Sequence, residues 1–181
     1  MQIDRKTLKR FMDGDPAAFK TLFRAAINHV YWLAYNIVKN KQMAEDIVQE
    51  VFLKIYQMRE QIDPYRSLHF LIMKMTTNLA IDQIRKTSRE NWGPYLDETE
   101  DISDSEAADE ITLTQQITLQ QGLYDLPVIY RSVLLLKYTY DFSYQQIAEI
   151  LGISVPAVAL RIKRGKEMLR LKLKDPVDEK S

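Results

Sequence analysis

The chain of 181 residues is 46% hydrophobic and carries 25 basic and 25 acidic side chains, a formal net charge of zero. That length holds one larger domain or two small ones. The lack of cysteine excludes a disulfide framework, a thiolate nucleophile and cysteine metal ligands, and no run reaches the roughly 18 apolar residues of a membrane span.

The N-terminus is charged and lacks the long apolar stretch of a signal peptide, so a reducing, soluble compartment is expected. Gly14 and Pro16 precede a segment with strong periodicity. There Phe19, Leu22, Phe23, Ile27, Val30, Tyr31, Ala34, Ile37 and Val38 recur at spacings of three and four, which predicts one amphipathic helix. It should end at the polar run Lys39, Asn40 and Lys41. A second helix is predicted from Met43 to Gln57, with the stripe Ala44, Ile47, Val48, Val51, Phe52, Ile55 and Tyr56. Pro64 breaks the pattern. Ser67 is a suitable cap for a third helix, which should run to about Lys86 on Leu68, Leu71, Ile72, Met75, Leu79 and Ile84. The aromatic residues Phe19, Phe23, Tyr31 and Phe52 fit a core. Residues 1–92 thus read as an all-α domain.

Charge is distributed unevenly. Residues 1–94 hold 15 basic and 10 acidic groups, a net of +5; residues 95–125 hold no basic and 9 acidic groups; residues 126–181 hold 10 and 6, a net of +4. Residues 93–110 therefore read as an acidic, flexible linker that can bury little apolar area. A helix is expected over about 111–124, with the acidic residues before it favouring its N-terminus.

Residues 111–175 read as a second small helical domain, followed by a disordered tail at 176–181. Pro127 should begin a helix holding Val133, Leu134 and Leu135. Ser143 with Gln146 forms a capping-box pattern, and Gly152 suits a left-handed turn. Ser154 can cap the last helix, where Pro156 falls in the first turn. Ile147, Ala148 and Leu151 share a face. Ile153 fills the corner, and Val158 and Ile162 return to the core, while Arg161, Lys163, Arg164 and Lys166 lie opposite. This is a helix-turn-helix pattern, and its second helix can enter a major groove. The candidate DNA-facing set is Tyr144, Ser154, Pro156, Ala157, Leu160, Arg161, Lys163, Arg164 and Lys166. Leu160 could touch a thymine methyl or pack inward, and Tyr144 could contact a phosphate or pack locally. A purely structural hairpin is the competing reading.

Three ordered motifs add to this: AEDIVQEVFLKIY at Ala44–Tyr56, MTTNLAIDQIRK at Met75–Lys86, and LPVIYRSVLLLKYTYDFSYQQIAEILGIS at Leu126–Ser154. Together they resemble an extracytoplasmic-function (ECF) RNA polymerase sigma factor of the sigma-70 superfamily. The resemblance implies an all-α, two-domain fold with a helix-turn-helix (winged-helix-like) C-terminal domain. It also implies a non-enzymatic initiation factor in the bacterial cytoplasm. Its partners would be core RNA polymerase, through the largest-subunit clamp coiled coil and the β-subunit flap, and double-stranded promoter DNA with its melted non-template strand. Many members are held by an anti-sigma factor, often membrane-anchored.

By the same resemblance, Asp46, Gln49, Glu50 and Leu53 face polymerase. Their spacings of three and four do place them on one helix face. The −10 element falls to Tyr65, His69, Lys74, Asn78, Asp82, Arg85 and Lys86, with the loop 63–69 holding a flipped base. The C-terminal set reads the −35 element. The chain departs from the family in the recognition helix, where Pro156–Ala157 stand for the usual Gly-Thr and Ala159–Leu160 for the usual Lys-Ser. Phe70 replaces a tryptophan common early in the third helix.

No phosphate-binding glycine loop or nucleophile elbow occurs, and the only histidines, His29 and His69, lie in no ligand cluster. No catalytic residue, cofactor, metal or small-molecule substrate is expected. The alternatives are a dimeric helix-turn-helix regulator acting alone and a protein-interaction module.

Overall fold

The structure is a computed structural model of the chain and describes residues 3–87 and 122–174. Every regular element among them is helical, in agreement with the all-α expectation. The chain divides into two compact units, Met1–Trp92 and Gly93–Ser181. The linker expected at 93–110, most of the helix expected over 111–124 and the tail at 176–181 lie outside the described residues; residues 122–124 are helical.

The first unit contains α1 (Arg5–Met12), α2 (Pro16–Val38), α3 (Lys41–Gln57), a single 3-10 turn (Arg59–Gln61) and α4 (Leu68–Thr87). The apolar pattern did not foresee α1. Asp4 caps it, accepting from the Thr7 amide at 2.9 Å and the Thr7 hydroxyl at 2.7 Å. Leu8 and Phe11 bury its inner face. Asp15 then caps α2 through the Ala17 amide at 2.8 Å, with Pro16 in the first turn, where its missing N–H is no loss. Lys39 ends α2 in the left-handed conformation at φ 56°. Asn40 at once caps α3, accepting from the Met43 amide at 3.0 Å. A two-residue connection therefore makes α2 and α3 a tight helical hairpin.

Packing confirms Leu22, Val30, Ala34 and Ile37 of α2 and the α3 stripe from Ala44 to Ile55 as core. Three of the four expected core aromatics are only half-buried: Phe19, Phe23 and Tyr31. Phe19 stacks on Phe11 at 5.8 Å and Phe23 meets Phe52 at 4.6 Å, while Tyr31 stacks on Tyr35 at 6.0 Å. In α4 the buried face is Leu68, Ile72, Met73, Thr76, Thr77 and Ala80, whereas Leu71, Met75, Leu79 and Ile84 are half-exposed. The two threonines can be buried because each hydroxyl donates to a carbonyl one turn back, Ile72 O and Met73 O, both at 2.8 Å.

The second unit contains α5 (Val128–Leu134), a π-helical turn (Leu135–Thr139), α6 (Tyr144–Leu151) and α7 (Val155–Lys174). Val133 to Leu136 are all buried. Arg131 is buried too, and its Nη1 donates to Tyr124 O and Leu126 O, both at 2.9 Å. Burial lowers its pKa to about 10, so it remains a cation at neutral pH. Ser143 and Gln146 form the expected capping box at 2.9 and 3.2 Å. Gly152 adopts φ 65°, and the Ser154 hydroxyl accepts from the Ala157 amide at 3.3 Å. Helices α6 and α7 cross at 100°, the geometry of a helix-turn-helix. Ile147, Ala148, Val158 and Ile162 fill the angle between them, while Ile153 and Leu151 are only half-buried.

Leu160 corrects one expectation. It is 8% exposed, so its side chain is enclosed and does not stand out toward a groove. Exposing a leucine would forgo roughly 1.5–3 kcal/mol of apolar transfer, and α7 turns it inward.

Two stability outcomes follow from these positions. Leu160→Ala should destabilise the protein by about 2–4 kcal/mol through the cavity it leaves, measured by chemical denaturation followed by circular dichroism; a change within 0.5 kcal/mol would return Leu160 to the surface set. A Cβ at Gly152 would meet nothing within 4 Å, so Gly152→Ala carries backbone strain alone, about 1–2 kcal/mol. Gly152→Asn should lose less, because asparagine tolerates the left-handed region, and the order of the two thermal midpoints checks it.

Candidate nucleic-acid and partner interfaces

Three exposed surfaces collect the residues singled out from the sequence. The first is on α3. Its inner face is buried from Ala44 to Ile55, which turns Asp46, Gln49, Glu50 and Leu53 outward. Leu53 is 56% exposed, an apolar side chain in water about one turn before the end of a packed helix. Glu50 pairs with Lys54 at 2.7 Å, a surface contact worth a few tenths of a kcal/mol. Tyr56, expected in the buried stripe, is partly exposed one turn beyond Leu53. Its ring is held edge-on by Phe19 at 5.2 Å and covered by the Arg59 guanidinium at 4.9 Å. The geometry thus adds Tyr56 to this face, and its i+3 spacing from Leu53 was the available signal.

The second surface is the loop before α4 and the outer side of α4. Asp63 organises the loop: its carboxylate accepts from the Tyr65 amide at 2.9 Å and lies 3.7 Å from Arg66 Nε. This turn leaves the Tyr65 ring 85% exposed. Ser67 caps α4 through the Phe70 amide at 3.2 Å. Along the helix, Lys74, Asn78 and Asp82 follow at intervals of four, roughly opposite the buried Ile72, Thr76 and Ala80. Arg85 completes the row, 3.5 Å from Asp82, and Lys86 is exposed beside it. Lys74 Nζ sits 5.9 Å over the Phe70 ring. His69 is half-buried with its ring 6.3 Å from that of His29. Burial lowers its pKa, so at neutral pH it offers a neutral donor and acceptor. His29 itself is exposed, and the contact between the two rings was not foreseen.

The third surface is the helix-turn-helix. Ser154 is engaged as a cap, Pro156 is exposed and Ala157 is half-buried at the start of α7. Lys163 is exposed, while Arg161, Arg164 and Lys166 are half-buried. Tyr144 opens α6 with Lys137 Nζ 5.7 Å above its ring. Lys166 Nζ lies 6.0 Å from the ring of Tyr138, which is 60% exposed. Lys137 and Tyr138 extend the basic, aromatic surface onto the π-helical turn. Helical periodicity alone could not find them, because that turn changes the facing of the residues it contains.

Among the described residues, no group of three or more His, Asp or Glu side chains could hold a metal ion, and no single helix is long and apolar enough to cross a membrane.

Comparison with known proteins bears on the whole chain. Residues 22–90 match the family model of sigma-70 region 2, and residues 118–169 match that of sigma-70, region 4. The chain is 33% identical to the ECF RNA polymerase sigma factor SigW of Bacillus subtilis, over 94% of this chain and 97% of the relative. Two solved structures share the fold. CnrH in complex with the cytosolic domain of CnrY has a TM-score of 0.66 at 21% identity, over 94% of this chain and 96% of that one. The sigma factor RpoE of Bartonella quintana, solved with the anti-sigma factor NepR, has a TM-score of 0.64 at 22% identity, over 88% and 98%. With both sigma regions in order along one chain and a full-length relative at this identity, the protein belongs to the ECF branch of the sigma-70 family of RNA polymerase sigma factors.

Proposed function

We propose that this sigma factor acts through the three surfaces as a bipartite promoter reader. On α3, Asp46, Gln49, Glu50 and Leu53 dock on the clamp coiled coil of the largest polymerase subunit. The loop at Tyr65 and His69 captures the melted non-template strand of the −10 element, with Lys74, Asn78, Asp82, Arg85 and Lys86 along α4. The second unit sets Tyr144, Pro156, Ala157, Arg161, Lys163, Arg164 and Lys166 against the duplex −35 element, with Ser154 holding the start of α7, and it meets the β-subunit flap. Residues 1–92 and 111–175 serve as the two working domains on this reading. Polymerase supplies all the chemistry, and the site of action is the bacterial cytoplasm.

One observation carries the docking assignment: Leu53 is 56% exposed on a helix whose other aliphatic residues are withdrawn. An exposed apolar anchor ringed by carboxylates and an amide suits a basic helical partner. A helix-turn-helix regulator acting alone has no use for such a face. An anti-sigma protein that covers these surfaces would silence the factor. Support for that partner is the likeness in fold to a sigma factor solved with one.

Reversing Asp46→Lys and Glu50→Lys together should weaken binding to core polymerase at least tenfold, followed by fluorescence anisotropy of labelled protein. Undiminished binding would remove the docking map, and failure of the wild-type protein to support promoter-specific run-off transcription would remove the sigma reading itself. In the holoenzyme, Lys163→Ala should lower affinity for all promoters alike and flatten the dependence of log K on log salt by about 0.9, the signature of one lost duplex phosphate contact. A loss confined to one −35 base would make Lys163 a base reader instead.

A further inference from the structure

A cavity of about 620 Å³ lies between the start of α1 and the loop that leads into α4. Asp4, Arg5 and Leu8 line it on one side, and Pro64, Arg66 and His69 on the other. The volume falls within the roughly 300–1,000 Å³ of ligand sites, and the lining mixes apolar walls with a few polar groups. The polar groups are not equally available. Both carboxylate oxygens of Asp4 are committed to Thr7, and those hydrogen bonds hold its pKa down. Arg66 is drawn toward Asp63 at 3.7 Å. Arg5 lies instead over the exposed Tyr65 ring, its guanidinium carbon 5.9 Å from the ring centroid. Helix α1 is anchored by Leu8 and Phe11, so Arg5 is presented from a fixed element.

A charged fork that lines a cavity of mixed polar and apolar walls, with a solvent-facing aromatic ring beside the fork, suits single-stranded nucleic acid. The ring stacks on a base, and the guanidinium holds the neighbouring phosphate in a bidentate grip. We propose that α1 is the outer wall of the strand-capture pocket and that Arg5 is a positioning residue, contacting the backbone phosphate beside the extruded base while orienting Tyr65. This rests on the reading of the loop at Tyr65 as the −10 capture site, and it assigns the pocket a second wall from a helix outside the matched region 2, which begins at residue 22.

The test uses holoenzyme assembled from core polymerase and the full chain. Its probe is a fluorescent non-template oligodeoxynucleotide spanning the −10 region of a promoter mapped by run-off transcription. Arg5 is exposed, so Arg5→Ala should leave folding and core binding intact. It should weaken oligonucleotide binding about tenfold and flatten the salt dependence by about 0.7, the value for one phosphate on a single strand. Arg5→Lys should restore the slope, and Lys6→Ala, which does not line the cavity, should change neither quantity. If wild-type holoenzyme prefers the promoter strand to a scrambled one while Arg5→Ala leaves affinity and slope unchanged, the role of Arg5 is overturned. If wild-type holoenzyme shows no such preference, the capture-site reading beneath it fails.

Discussion

Helix α2 is packed against both α3 and α4, with Leu22, Ala26, Val30, Leu33 and Ile37 wholly withdrawn from solvent. Each large apolar side chain so buried contributes roughly 1.5–3 kcal/mol of transfer free energy, and the alanines let the neighbouring backbones approach. This packing sets the rotation of the two flanking helices about their own axes. With 3.6 residues per turn, burying Ile47, Val51 and Ile55 leaves Asp46, Gln49, Glu50 and Leu53 outward. Burying Ile72, Thr76 and Ala80 does the same for Lys74, Asn78 and Asp82. Two outward faces therefore share one buried support. A cavity in α2 would disturb both without touching either.

The second unit solves the same problem over a shorter span. Helix α6 has eight residues, too few to persist alone in water. It is held by terminal hydrogen bonds and by a corner. The Ser143–Gln146 capping box satisfies donors at its start, and Gly152 turns the chain at its end. Ser154 opens α7 on the far side of the turn. Ile147 and Val158 are both wholly buried in the interior. Arg131 ties the segment before α5 to the helix itself, and its charge is tolerated there because two carbonyls accept from it.

What could be read from the sequence follows the range of the forces involved. Caps and the glycine turn depend on residues three or four apart, so Ser67, Ser143, Gly152 and Ser154 were legible. So was the α3 stripe, which spans several turns. Helix α1 was not, because eight residues with Leu8 and Phe11 as their buried pair give too little periodicity. Thr76 and Thr77 were missed as core because their composition is polar, although each hydroxyl is satisfied within the helix. Leu160 was misplaced for a different reason. Periodicity assigns one inner face to a helix, but α7 buries Leu160 as well as Val158 and Ile162. Which residues meet across the first unit, such as Arg5 with Tyr65 or His29 with His69, depends on packing that no local pattern carries.

The enclosed Leu160 sharpens the question of how a chain with no net charge recognises DNA. With Ala157 and Ala159 small and Leu160 inside, the start of α7 offers few hydrogen-bonding groups to base edges. The basic residues follow later, from Arg161 to Lys166, and contacts of that kind fall mainly on phosphates, which position a protein without specifying sequence. The 9 acidic groups of residues 95–125 cancel the basic blocks arithmetically, but charges farther apart than about 10 Å are strongly screened at 0.1 M salt. Local fields therefore matter more than the sum. On this reading the duplex contact is weak and salt-sensitive by itself, and selectivity must come from joining it to a second contact. On the proposed docking of α3, polymerase supplies the means: once one promoter element is bound, binding at the other becomes intramolecular, and two modest affinities act at a high effective concentration.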